Sequence, residues 1–119
     1  MLIELPELKT LVAQDLVYNK IYPCVGVKDR DGTYMFDGWI RCLEALQSGD
    51  YETVLAGHGE PTGPAIFPEL VEYIKFAKQT FESNPGPERM KATMIEKYPN
   101  YRYPEMLDFS NIYLYFWKW

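Results

Sequence analysis

The stretch Glu52-Thr53-Val54-Leu55-Ala56-Gly57-His58-Gly59-Glu60-Pro61 leaves the chain few ways to fold. Thr53 to Ala56 are apolar or β-branched and too few for a helix, which predicts a short buried strand. Gly57 ends it, and His58 follows between two glycines. Pro61 and Gly63 keep the chain in a loop until a helix begins near Ile66. Glycines on both sides permit close backbone approaches that side chains would block. A histidine so placed can face an open cleft at a sheet edge. It is the only histidine in the chain, so any histidine chemistry rests on it.

A second strand is predicted over residues 8–14, after a short apolar segment at 2–5 and a turn at Pro6-Glu7. Leu8, Thr10 and Val12 point to one side, and Leu11 and Ala13 to the other. Apolar residues on both sides suggest a strand covered on both faces. Asp15 ends it, and taken locally it reads as a turn or capping residue. Residues 18–34 form a loop containing Cys24 and Asp31. Phe36, Trp39, Ile40, Leu43 and Leu46 make the apolar stripe of a helix over 35–48, closed by Gly49. Phe67, Leu70, Ile74, Ala77 and Phe81 do the same over 66–83, where Asn84-Pro85-Gly86-Pro87 stops the helix. A third helix spans 87–98 with Met90, Met94, Ile95 and Tyr98 inward. A fourth, over 105–116, carries Met106, Phe109, Tyr113 and Phe116 at helical spacing. The aromatic tail from Tyr101 through Trp117 and Trp119 reads either as core and cover for the sheet or as a partner interface.

Two of these stretches together resemble the C-terminal half of the metallo-β-lactamase superfamily. The run from Leu5 to Tyr18, with Asp15 after its strand, is similar to the motif whose aspartate bridges two metals. Gly57-His58-Gly59-Glu60-Pro61 is similar to the last metal-ligand motif. The likeness is good over residues 2–83 and looser beyond. It implies an α/β fold, half of an αββα sandwich: a small sheet with about four helices. It implies a partial zinc site at Asp15 and His58, with Gly57, Gly59, Glu60 and Cys24 around the cleft. The family's His-x-His-x-Asp-His run does not occur in this sequence. Zinc needs three or four ligands, and two cannot rebuild a hydrolytic centre, so zinc on a lone chain is expected to be weak or absent.

The 119 residues fit one domain, 1–119, and the net charge of −5 disfavours nucleic acid, which needs clustered Lys and Arg. No run is long and apolar enough for a membrane span, and Met1-Leu2-Ile3-Glu4 lacks the features of a signal peptide, so a cytoplasmic protein is expected. Cys24 and Cys42 make neither a zinc knuckle nor a redox pair, and plain thiols are expected. Nucleophile elbows and phosphate loops are missing from the sequence. Three readings of function follow: a degenerate lactamase-like half that associates without catalysing, one half of a split metal-dependent hydrolase, or a small-molecule or metal-binding module. Half a sandwich would leave one sheet face bare, so a homodimer or a complementary N-terminal half is the expected partner.

Overall fold

The fold, obtained as a computed structural model, is described over residues 2–116. The chain forms β1 (Ile3–Leu5), a 3-10 turn (Pro6–Leu8), β2 (Thr10–Tyr18), α1 (Phe36–Gln47), β3 (Thr53–His58), α2 (Ile66–Glu82), α3 (Pro87–Lys97) and α4 (Glu105–Asn111), with a final π-helical turn at Ile112–Phe116. The described residues therefore give an α/β protein with four α-helices and one three-stranded sheet.

Strand β2 is central. It pairs antiparallel with β1 and parallel with β3. The parallel pair is joined through α1, as two parallel strands require a crossover. Strand β2 starts two residues later than the sequence predicts. Pro6 opens a 3-10 turn, and Lys9 closes it in the left-handed region at φ 48°. Leu8 is thereby left exposed. At the other end β2 runs past Asp15 to Tyr18, because Leu16-Val17-Tyr18 is itself a β-prone run.

Alternation sorts the sheet into two unlike faces. Leu11, Ala13, Val17 and Val54 are buried against α1 and α2. The helices contribute Ile40, Leu43, Phe67, Leu70, Tyr73 and Ile74 to that core. Full burial of such side chains is worth roughly 1.5–3 kcal/mol each, so this layer supplies most of the hydrophobic stabilisation. On the other face, register places Ile3 beside Val12 and Val12 beside Leu55. There Ile3 and Leu5 remain 42% and 39% exposed, and Val12 and Leu55 are only half-buried. Strand β2 is thus fully covered on one face only.

Gly49 does not act as a left-handed cap. Helix α1 stops at Gln47, and Ser48 keeps helical angles. A Cβ on Gly49 would stand 2.3 Å from the ring of Tyr51, so its bareness lets that ring pack. Helix α3 buries Met90 and Met94 but leaves Ile95 at the surface.

The tail packs on the helices and on the long loop 19–35. Tyr101 stacks on Tyr73 with centroids 5.8 Å apart, and Tyr22 and Tyr98 complete the group. The buried side of α4 is Leu107, Ser110, Asn111 and Leu114, not the aromatic stripe that spacing suggested. Phe109 and Phe116 stand 53% and 64% exposed. Polar demand decides the choice. Ser110 Oγ accepts from the Val25 N–H at 3.0 Å and donates to the Pro23 carbonyl at 3.2 Å. Asn111 Nδ2 donates to the Pro87 carbonyl at 2.9 Å. Backbone groups covered by the tail must be satisfied, and Ser110 does so for the loop and Asn111 for the first residue of α3. Trp117 and Trp119 lie outside the described residues.

Candidate functional site

Strand β2 sets nine residues against six of β3. The excess is taken up by register shifts between Val12 and Gln14 and between Gln14 and Tyr18. Gln14 turns to φ 51°, a conformation uncommon outside glycine. A bulge of this kind re-aims a side chain. Here it swings Asp15 out of the ladder towards the end of β3. Register resumes at Tyr18 opposite His58.

The result is a contact between the two residues singled out by sequence. Asp15 Oδ1 lies 3.2 Å from His58 Nε2. Asp15 is 89% exposed at its side chain and His58 39%, so water screens the pair and its contribution to stability is small. On its other side His58 lies against the Tyr18 ring. Burial, with the nearby Cys24 and Asp15 adding to it, pushes the Tyr18 phenol up to about 12. Tyr18 is therefore a neutral packing surface at ordinary pH, not a base.

The glycines flanking His58 act by close approach. A Cβ on Gly57 would fall 2.3 Å from the carbonyl of Gln14, and one on Gly59 would fall 2.3 Å from the carbonyl oxygen of Asn19. Gly59 also sits at φ +99°, where side chains are strained. Asn19 clamps the same loop twice. Its N–H donates to the His58 carbonyl at 2.8 Å, and its Nδ2 donates to the Glu60 carbonyl at 3.0 Å. Sequence reasoning passed over Asn19 and Tyr18; the β-prone run after Asp15 was the available signal for Tyr18.

Beside this pair, a cleft of about 740 Å³ opens between β2, the loop 19–35 and α1. Asp15, Tyr18, Cys24, Phe36, Trp39 and Cys42 are among its walls. Trp39 is anchored by its Nε1–H, which donates at 2.9 Å to the Leu16 carbonyl in the shifted segment of β2. Of the residues expected around the cleft, Cys24 lines it, whereas Gly57, Gly59 and Glu60 are not among its walls. Cys24 and Cys42 are both free thiols. Burial pushes the Cys24 thiol up, partly opposed by a hydrogen bond with Ser110, so the thiol reacts slowly rather than as an activated nucleophile. Asp31 is exposed in a turn, its N–H donating to Asp29 Oδ1.

Among the described residues no group of three or more His, Cys, Asp or Glu side chains comes together to hold a metal ion. Asp15 and His58 supply two ligands, fewer than the three that zinc takes from protein even in open sites. The described residues thus do not fit a complete zinc centre. No described helix is long and apolar enough to cross a membrane. Compared with protein-family models and with curated proteins, the chain matches none.

Proposed function

We propose that this chain is a metallo-β-lactamase-like half-domain that does not hydrolyse by itself and acts through association, with a second copy or with a complementary half. The observation carrying this reading is the one-sided sheet. Helices cover Leu11, Ala13 and Val54, while Ile3, Leu5, Val12 and Leu55 form an apolar face with no layer of the described chain over it. In the sandwich that the sequence resembles, a second sheet would lie there. Two copies joined about a two-fold axis would supply it, since that is the commonest oligomer symmetry. Sedimentation at micromolar concentration tests the reading. A species of twice 13.9 kDa is expected, and a clean monomer without affinity for a complementary half refutes it.

A second reading, one half of a split hydrolase, draws support from the Asp15–His58 contact at 3.2 Å. Its test is co-purification with a half carrying the His-x-His-x-Asp-His run. The isolated chain should hold zinc weakly, releasing it to a competing chelator, and His58→Ala or Asp15→Ala should abolish even that. Tight stoichiometric zinc that survives both substitutions would place the ion elsewhere.

A further inference from the structure

The cleft beside β2 has a chemistry that association does not use, and it shares only Asp15 with the partial metal site. Its volume, about 740 Å³, is within the usual range for small-molecule sites, roughly 300–1,000 Å³. Its walls are mainly apolar and aromatic, with Tyr18 from β2, Phe36 and Trp39 from α1, and Tyr113 from the final turn. Helix α1 and the loop bearing Cys24 are tied in place. Trp39 is held by its bond to the Leu16 carbonyl, and the loop bearing Cys24 is held through Ser110 at Val25 and Pro23. A pocket fixed in this way has less to lose on binding than one that must form.

Only one lining residue among those described is charged, and it is Asp15. Lys, Arg and His are missing from the described walls, so an anionic ligand would meet the Asp15 carboxylate with no cation of those walls beside it; His58, outside them, lies against Oδ1. The contact with His58 engages Oδ1 of Asp15, and the side chain is 89% exposed at the rim. A carboxylate at the rim of such a cleft favours a cation over a neutral group, and a neutral group over an anion.

We propose that this cleft binds a small amphipathic amine, its apolar or aromatic body against Trp39, Met35 and Val27 and its ammonium group at Asp15. The apolar walls supply most of the affinity. Asp15 supplies the choice of charge, and because it is exposed that choice is modest, about fivefold. The proposal is independent of the association reading. A dimer without charge preference in the cleft would overturn it alone, and a monomer that prefers the amine would leave it standing.

The two thiols provide a reporter inside the site, since Cys24 and Cys42 are the only cysteines and both line the cleft. The full chain is alkylated with iodoacetamide in the presence of naphthylmethylamine, naphthalenemethanol or naphthoate, and the rate at each thiol is read by mass spectrometry. The amine is expected to protect at about one-fifth the concentration needed by the alcohol, with naphthoate weakest. Asp15→Asn, at a side chain 89% exposed and with its fold checked by circular dichroism, should bring the three within about twofold of one another. Protection by none of the probes, naphthoate matching the amine, or a preference that survives Asp15→Asn would each overturn the proposal.

Discussion

The imidazole of His58 lies flat on the phenol ring of Tyr18, with ring centroids 4.4 Å apart and planes 8° from parallel. The stack follows from register, because Tyr18 and His58 are partners across β2 and β3 and so share a face of the sheet. Such ring pairs add about 0.5–1.5 kcal/mol beyond the area they bury. The stack also fixes the plane in which Nε2 meets Asp15.

Because His58 is the only histidine, its ring protons can be followed by NMR without ambiguity. Under the Tyr18 ring they should resonate upfield of their positions in an unfolded chain. Tyr18→Phe should keep that displacement, and Tyr18→Leu should remove most of it. Ring signals unmoved by Tyr18→Leu would mean that the stack is not populated in solution.

Gly57→Ala should be costly through close approach alone. Its Cβ would collide with the Gln14 carbonyl and come within 2.9 Å of the Asp15 nitrogen. Backbone cannot yield as a side-chain tip can, so a loss of about 3 kcal/mol, at the upper end for overpacking, is expected in urea unfolding. Gly32→Ala is the control. Nothing lies within 4 Å of its Cβ position, although φ is +80°. Only the left-handed strain remains there, about 1–2 kcal/mol. Equal costs at the two sites would mean that β3 does not press on the bulge.

Much of this arrangement was legible in the sequence. Thr53–Ala56 has too few residues for a helix, and the stripes of α1 and α2 follow an unbroken 3.6-residue period. Asp15 and His58 were both in view. What spacing could not reveal is the bulge, since Gln14 carries no mark of its φ of 51°. For that reason Asp15 was expected at a strand end and is found within a strand. Helix α4 misled for a different reason. Its aromatic residues outweighed Ser110 and Asn111 on any hydrophobic count, yet the loop beneath needed hydrogen-bond partners more than it needed another ring. Gly49 read as a cap, but the ring of Tyr51 needed the space that a Cβ would fill.

Ser110→Ala follows from that polar demand. It leaves the Val25 N–H buried without the oxygen it now meets at 3.0 Å. An orphaned buried donor costs about 1–3 kcal/mol. Stability should fall by that amount, and amide exchange at Val25 should quicken more than at Leu11, which is held in the sheet. Uniform acceleration at both amides would show that the loss is global and that Ser110 does not fix the loop.

Alkali should loosen the fold between pH 10 and 12. Burial raises the phenols of Tyr18 and Tyr101 from 10.0 to about 12, with neighbouring groups adding to the effect. Below pH 10 both phenols are protonated in the folded and unfolded chains, and their contribution is fully present. Between 10 and 12 the unfolded chain releases these protons first, so rising pH draws the equilibrium towards unfolding. The urea midpoint should fall across this window and fall less in Tyr18→Phe/Tyr101→Phe. A double variant that tracks the parent throughout would show that other groups govern the alkaline transition.

The open sheet face yields the most direct test of association. Val12 and Leu55 lie at its centre, and Ile3 and Leu5 extend it along β1. A stable interface buries about 800 Å² on each partner, more than these four side chains expose alone, so neighbouring residues such as Leu8 must join. At about 25 cal/mol per Å², several hundred Å² of apolar surface represents roughly 10 kcal/mol before the costs of association. A lysine at Leu5 should be tolerated in the monomer, because Leu5 is at an edge strand and 39% exposed, and edge strands accept charge readily. In a sheet-to-sheet dimer the same lysine would be buried in the interface. Leu5→Lys is therefore expected to leave the unfolding curve of the folded monomer nearly unchanged while shifting the sedimenting species towards 13.9 kDa. Phe109→Lys, on the exposed side of α4, serves as the competing probe. Dissociation by Phe109→Lys but not by Leu5→Lys would move the interface from the sheet to the aromatic side of the tail and overturn the sandwich arrangement.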